Sequence, residues 1–204
     1  IPVYDSDSTV HVVLGKGGAA VGPIGAAFPG VVNDGAVDRQ ALGKRVFGDD
    51  AALKTLEAIV HPLVRQVQDN FLKRCAARRC PLVVLDIPLL FEVRLDIRCD
   101  AAIVVSAPAF IQAARVLARP GMTREKFDGI LARQMPDAEK RRRADFVVPS
   151  GRGKAETLRR LTRIARLMRN AAPACWPTDP FAEANVHRRS PDARNCPRYR
   201  NHRT

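Results

Sequence analysis

Aromatic residues are scarce in this sequence, and its cysteines are not paired at metal-binding spacing. Phe, Trp and Tyr make up only 5% of the 204 residues, so the core must be aliphatic and rich in alanine. Almost no aromatic side chain lies among the basic residues, which argues against a surface that stacks bases, and we predict no nucleic-acid partner. The five cysteines show no C-x-x-C spacing, which indicates free thiols in a reducing cytoplasm.

Long apolar runs and a phosphate-loop motif are also missing. No apolar run approaches the roughly 20 residues that span a bilayer, and no basic region followed by an apolar one marks a secretory leader. We therefore predict a cytoplasmic protein without a membrane partner. No segment has the order G-x-x-x-x-G-K-[ST]. Residues 11–35 are poorly patterned, and we interpret the glycine-rich residues 15–18, which do not replace the motif, as a flexible stretch.

The chain carries a large excess of positive charge, with a formal net charge of +13. Part of this charge belongs to residues 171–204, which contain many prolines and arginines and no periodicity, so we predict a disordered basic tail there. The rest is spread over residues 1–170. Such an excess favours a polyanionic partner, either nucleic acid or small phosphorylated molecules.

The clearest strand signal lies in residues 81–92, where an apolar run meets Asp86 and a second apolar triplet ends at Glu92. A short apolar run bounded by prolines predicts a strand buried on both faces, as in parallel sheets. Ligands of open α/β sheets bind beyond the carboxyl ends of the strands. Asp86 and Glu92 are expected at that edge, where they either serve the chemistry or simply end the strand and hold the loop.

Two other pairs of polar residues have spacings that suit chemistry. Asp5 and Asp7 follow a short apolar run and are separated by one residue. Carboxylates at the end of a strand can accept a proton or hold Mg²⁺, and they can equally cap a helix. His61 and Arg65 lie one helical turn apart, a spacing that by itself is also common on solvated helices.

Short apolar runs alternate with helical patterns, which is typical of a parallel α/β sheet. We predict one α/β domain over residues 1–170, with further strands at residues 101–105 and 146–148. A long helical pattern covers residues 51–74, and Pro62 should kink or split it. Residues 109–143 form a cationic helical segment, whose arginines suit the binding of phosphates.

Several motifs, taken together, resemble those of bacterial dephospho-CoA kinases. Residues 1–7 are similar to V-I-D-A-D, and residues 56–65 match L-x-x-x-x-H-P-x-[IV]-R. Residues 83–92 match V-V-L-D-[IV]-P-L-L-[FV]-E, and residues 112–125 match Q-x-x-R-x-x-x-R-x-x-x-[TS]-x-E. The order and spacing of these blocks make the resemblance specific. It implies a P-loop NTPase-like fold of the nucleotide-kinase type, in which helices flank a parallel sheet.

The resemblance also implies an activity and the residues that serve it. The family phosphorylates the 3′-hydroxyl of dephospho-CoA, with ATP as co-substrate and Mg²⁺ as cofactor, to give CoA. Asp7 falls at the position of the general base, and Asp5 falls beside the metal and phosphate site. His61 and Arg65 would lie near the dephospho-CoA pocket. Arg119 belongs to the family's lid, here residues 109–143, and would neutralise the transferring phosphoryl group.

The remaining implied contacts concern both substrates. Asp86 and Glu92 are assigned to the substrate side, and Arg115, Ser150 and Gly151 join Arg119 on the nucleotide side. The family's D-N-[SN]-G motif is replaced around Ser150 and Gly151, which alters the contact to adenine. No protein residue is assigned as a metal ligand, and we predict a monomer.

One departure from the family pattern is large. The family places a central strand, a phosphate loop and a helix before its V-I-D-A-D segment, and residues 1–204 contain no such motif. We therefore expect an N-terminally truncated chain whose sheet lacks its first, central strand and its P-loop. Without that strand, the strands near residues 81–87 and 101–105 would have no shared neighbour.

Two other functions compete with this interpretation. One is a different P-loop kinase of small metabolites, which a substrate panel would distinguish. The other is a non-catalytic basic protein that binds nucleic acid, which only the net charge of +13 supports. A gel-shift series at rising salt tests the second alternative, because phosphate binding weakens steeply with salt.

The absent phosphate loop leads to a testable expectation. We expect residues 1–204 to show no ATP-dependent phosphorylation of dephospho-CoA, because backbone amides and a lysine of that loop normally hold the ATP phosphates. A coupled ADP-release assay measures this. Clear turnover would contradict the expectation while supporting the assignment to the family.

Overall fold

A computed structural model describes residues 1–171 and divides them into two compact units, Ile1–Pro88 and a second that begins at Leu89. The predicted tail, apart from Ala171, lies outside the described residues, and the predicted domain over residues 1–170 stays a prediction. Across residues 1–171, no helix combines the length and the apolar character needed to cross a bilayer.

The first unit joins two short sheets to four helices. In chain order its elements are β1 (Val3–Asp5), α1 (Ser6–Leu14), α2 (Val21–Ala27), β2 (Val32–Asn33), β3 (Ala36–Val37), α3 (Arg39–Val46), α4 (Asp50–Ala77) and β4 (Val84–Asp86). β1 and β4 run parallel, with Val3 opposite Val84 and Asp5 opposite Asp86. Both strands therefore end in an aspartate at the same edge.

The second unit contains a parallel strand pair and the helices around it. Its elements are a 3₁₀ helix (Leu95–Arg98), β5 (Ile103–Ser106), α5 (Ala109–Leu117), α6 (Arg124–Arg133), α7 (Asp137–Arg143), β6 (Phe146–Pro149) and α8 (Lys154–Arg169). β5 and β6 pair in parallel from Ile103 with Phe146 to Ser106 with Pro149. The predicted α/β class with parallel strands and flanking helices is confirmed.

Residues 11–35, which are poorly patterned in the sequence, supply the centre of the first unit's core. Ala20 and Ile24 are completely buried and Val31 is nearly so. They pack in one cluster with Val13 and Leu42. The sequence does not reveal this burial, because the elements are short and contain small residues. No helical periodicity extends far enough to be recognised. β2 and β3 form a hairpin whose turn residues both have positive φ, as a type I′ turn requires.

α4 is one continuous helix of 28 residues, although Pro62 was expected to kink or split it. Asp49 caps its start by accepting hydrogen bonds from the N–H groups of Ala51 and Ala52. Pro62 lies on the exposed side, where water can reach the carbonyl that the missing N–H leaves without its helical partner. The opposite face packs on the core through Val60 and its neighbours.

The prediction that the strand after Pro81 is buried on both faces is wrong for the described residues. Val84 is 40% exposed and Val3, on the paired strand, is 58% exposed. Tyr4, between Val3 and Asp5, is buried and donates its hydroxyl to the carbonyl of Val64. Each strand thus buries side chains on one face only, because successive side chains point to opposite faces of a pleated strand. A continuous apolar run cannot reveal such one-sided burial.

The buried cluster around Ile24 leads to a stability prediction. Ile24→Ala should lower the free energy of unfolding by about 2–5 kcal/mol, because it leaves a cavity at a fully buried site. Val12→Ala is the matched control and should change it by less than about 0.5 kcal/mol, since Val12 is 71% exposed. Urea denaturation measures both. Equal effects would contradict the assignment of residues 11–35 to the core.

Candidate active site

Asp5 ends β1 and caps α1. Its carboxylate accepts hydrogen bonds from the Ser8 N–H at 2.9 Å and from the Ser8 hydroxyl at 2.8 Å. These bonds, with the main-chain bond first, hold the pKa of Asp5 below its usual value. The helix-capping alternative is therefore confirmed for Asp5, and its lone pairs are partly used by its own helix.

Asp7 differs from Asp5 in having an uncommitted side chain. It is exposed in the first turn of α1, and within residues 1–171 its carboxylate makes no hydrogen bond or ion pair. An accessible carboxylate can accept a proton from a bound hydroxyl. Of the two aspartates, Asp7 is the one whose carboxylate is left accessible.

Asp86 stands directly beside Asp5 at the carboxyl edge of the β1–β4 pair. Adjacent strands lie about 4.8 Å apart, so two acidic side chains share this edge. Both are exposed to solvent. The edge predicted from the strand pattern thus exists in the first unit and is acidic.

A groove along the second half of α4, which we call the α4 groove, brings together His61 and Arg65. Its volume is about 450 Å³ and its lining consists of His61, Pro62, Arg65, Gln66, Asp69, Asn70 and Lys73. These residues form two adjacent rows at spacing four, which the sequence shows once the helix is known to be continuous. The groove follows about 18 Å of helix and presents cations, amides and one carboxylate.

A second groove, the α8 groove, is formed by α5, the loop after β6 and α8, and measures about 420 Å³. It is lined by Arg115, Ser150, Gly153, Lys154, Thr157, Leu158 and Leu161. Arg115 donates from one guanidinium nitrogen to the Ser150 hydroxyl at 3.1 Å and from the other to the Ser150 carbonyl at 2.9 Å. Two predicted nucleotide-side residues are thus in direct contact. The groove combines two cations with an apolar wall.

Gly151 lies next to this groove but does not line it. A Cβ atom there would stand 3.1 Å from Cδ of Pro108 and 3.2 Å from Cδ1 of Ile111. The glycine therefore allows α5 to approach the loop after β6. Its position is explained by packing, and its predicted contact with nucleotide stays a prediction.

Arg119 follows the end of α5, and its side chain is exposed without an ion pair among the described residues. Several other cations of residues 109–143 are paired with acidic residues. Arg124 pairs with Asp128, and Arg143 pairs with Glu139 on its own helix. The cationic segment therefore offers fewer free cations than its composition suggests, and Arg119 is one of them.

Glu92 is placed differently from an edge residue that faces substrate. Its side chain is only 17% exposed, and one carboxylate oxygen lies 2.9 Å from Lys140 Nζ and accepts the N–H of Met135 at 2.9 Å. Burial raises the pKa of Glu92, but the bonds from Lys140 and Met135 outweigh it and the pKa is lowered overall. The structure thus favours the alternative in which Glu92 holds its loop.

Within residues 1–171, no three His, Cys, Asp or Glu side chains stand close enough together to hold a metal ion. Mg²⁺ commonly takes only one or two carboxylates and completes its shell with water and substrate phosphates.

The Glu92–Lys140 pair leads to a pH-dependent prediction. Because the pKa of Glu92 is lowered in the folded protein, its contribution to stability is complete above the usual value of 4.5 and is lost as the pH falls through the lowered pKa. Glu92→Gln should lower the free energy of unfolding by about 2 kcal/mol at pH 7, and by progressively less below pH 4.5. Glu139→Gln is the control, since its ion pair is more exposed. A pH-independent cost for Glu92→Gln would contradict this.

Comparison with known proteins identifies the family. The family profile described as dephospho-CoA kinase matches residues 1–155. A dephospho-CoA kinase of Paramagnetospirillum magneticum is 62% identical over 174 residues, which is 85% of this chain and 82% of the relative. A dephospho-CoA kinase of Mesorhizobium japonicum is 56% identical over 153 residues, or 75% of this chain and 77% of the relative.

Solved structures agree with this result. The structure of TT1252 from Thermus thermophilus has a TM-score of 0.68 at 36% identity and covers 84% of this chain and 85% of its own. A dephospho-CoA kinase from Campylobacter jejuni, at 20% identity and a TM-score of 0.55, shares the fold over 82% of this chain and 84% of its own. The chain belongs to the dephospho-CoA kinase family of phosphotransferases.

Proposed function

We propose that this protein serves the phosphorylation of the 3′-hydroxyl of dephospho-CoA, with ATP as the phosphoryl donor and CoA as the product. The observation that carries the proposal is the contrast between Asp5 and Asp7. The carboxylate of Asp5 is engaged by Ser8, whereas that of Asp7 is exposed and uncommitted. Asp7 accepts the hydroxyl proton while the γ-phosphoryl group arrives.

The α4 groove is the proposed binding site for dephospho-CoA. Arg65 and Lys73 supply positive charge for the diphosphate group, and His61 and the amides of Gln66 and Asn70 supply hydrogen bonds. The predicted residues His61 and Arg65 keep their role in this proposal. Asp86 contributes to the acidic edge beside Asp5.

The α8 groove is the proposed site for the adenosine part of ATP. Leu158 and Leu161 offer an apolar wall for a base, and Arg115 and Lys154 offer positive charge. Ser150 keeps the Arg115 guanidinium in place through two hydrogen bonds. Arg119 is proposed to neutralise the phosphoryl group during transfer, in keeping with its unpaired, exposed side chain.

Mg²⁺ is proposed to enter together with the ATP phosphates. The described residues fit this mode, because they hold no cluster of metal ligands and Asp5 is partly occupied by Ser8. A bound Mg²⁺ would neutralise charge on the phosphates. We also propose that the protein works as a monomer in the cytoplasm, where its substrates are available.

Binding measurements on residues 1–204 test the substrate assignment without requiring turnover. Isothermal titration calorimetry should detect dephospho-CoA binding, and Arg65→Ala should weaken it about tenfold by removing a charge-assisted contact. Lys54→Ala, a cation on the same helix outside the groove, is the matched control and should bind as the wild type does. The absence of dephospho-CoA binding to the wild type would overturn the proposed function.

The role of Asp7 predicts an effect on CoA that is absent for dephospho-CoA. CoA carries a 3′-phosphate where dephospho-CoA carries a hydroxyl, so the Asp7 carboxylate should repel it. Asp7→Asn should tighten CoA binding about three- to tenfold and leave dephospho-CoA binding nearly unchanged. Asp50→Asn, an exposed aspartate in the first turn of α4, should change neither. Equal changes for both ligands would contradict a position of Asp7 at the 3′-hydroxyl.

A further inference from the structure

A chain of hydrogen bonds in the second unit connects α7 with the Arg115 side chain. The buried Ser106 hydroxyl at the end of β5 donates to the Asp137 carboxylate, whose two oxygens both lie 2.9 Å away. The Ser106 carbonyl accepts the N–H of Ser150 at 2.7 Å and its hydroxyl at 3.2 Å. Ser150 accepts two bonds from Arg115. Four residues on four different segments are thus joined without a gap.

A second contact holds α7 on the same face. Lys140 follows Asp137 by three residues, so both side chains leave the helix on one side. Lys140 reaches Glu92 at 2.9 Å. The other oxygen of Glu92 is buried without a hydrogen-bond partner, so this pair is not arranged for maximal stability. The Glu92–Lys140 pair instead fixes the position of α7.

A guanidinium held by two hydrogen bonds is prepared for a ligand. Arginine side chains lose considerable rotational freedom when they bind, and a side chain that is already oriented loses less. Arg115 lines the α8 groove in this oriented state. Its orientation depends on Ser150, whose own position depends on Ser106.

We propose that Asp137 is a positioning residue for nucleotide binding, which acts through Ser106 and Ser150 to orient the Arg115 guanidinium at the α8 groove. The Glu92–Lys140 pair keeps α7, and with it Asp137, in place. This inference rests on the proposed nucleotide role of the α8 groove. Asp137 touches no substrate in this scheme, and its effect is on the geometry of Arg115.

Side-chain NMR of arginine tests the relay without any ligand. Rotation about the Cζ–Nη bonds of Arg115 is slow when both nitrogens are hydrogen-bonded. Asp137→Ala and Ser106→Ala should speed this rotation at least about threefold. Both remove the bond that ties Ser106 to α7, so the Ser106 main chain, whose carbonyl holds Ser150, is fixed less firmly. Asp137→Asn keeps an oxygen acceptor for Ser106 and should restore slow rotation. Glu139→Ala, which removes an ion pair inside α7 only, is the matched control.

Titration with ADP, followed by the NMR shifts of residues at the α8 groove, tests the consequence. Asp137→Ala and Ser106→Ala should weaken ADP binding about five- to tenfold, while Asp137→Asn and Glu139→Ala bind within about twofold of the wild type. Dephospho-CoA binding should be unchanged in all four variants. A general loss of folding would instead weaken both ligands together.

The outcomes separate the inference from the function on which it rests. The positioning role of Asp137 is overturned if Asp137→Ala binds ADP as the wild type does, or if the rotation of Arg115 is unaltered in it. Neither result contradicts the nucleotide role of the α8 groove. Failure of ADP to bind the wild type overturns the nucleotide role of the groove and the inference together. Rescue by Asp137→Asn, with loss in Asp137→Ala, supports the relay.

Discussion

Parallel strands cannot be joined by a tight turn, and this constraint organises both units of the protein. A chain that leaves one end of a strand must return to the other end before it can pair in parallel, so it needs a long crossover. β1 reaches β4 through α1 to α4, and β5 reaches β6 through α5 to α7. The two crossovers contain several of the predicted site residues. The first forms the α4 groove, and the second includes the cationic helices.

The constraint also explains where the acidic residues are found. In a parallel pair the carboxyl ends of both strands lie at one edge, so Asp5 and Asp86 become neighbours although 80 residues separate them. The turn into α1 then gives Asp5 and Asp7 different surroundings. The first aspartate caps the helix, and the second is left exposed.

Much of the fold and part of the site could be predicted from the sequence. Apolar runs ending at Asp86, Val105 and Val148 predicted the strands, and the spacing of His61 and Arg65 predicted their common face. Residues 11–35 could not be interpreted, because their burial depends on packing of Ala20 and Ile24 against other segments rather than on a local period. Pro62 does not split α4, since it lies on the face of the helix that meets solvent.

Glu92 shows the same limit at the level of a single side chain. A glutamate at the end of an apolar strand pattern suggests a functional carboxylate, and the pattern carries no information about Lys140 or Met135, which are more than 40 residues away. Their approach depends on how α7 packs beside the loop. The paired and the functional carboxylate therefore look alike until the contacts are known.

The amino-acid sequence by itself determined the α/β class, the family and the residue types available for phosphoryl transfer. These follow from local periodicity and motif spacing, which are properties of the sequence alone. The tertiary structure decided which of those residues are committed. Asp5, Glu92 and Arg115 each have protein partners, whereas Asp7 and Arg119 are left exposed. For Asp5 the partner is the nearby Ser8, which a local capping pattern can suggest. For Glu92 and Arg115 the partners lie on segments distant in sequence, which no local pattern encodes.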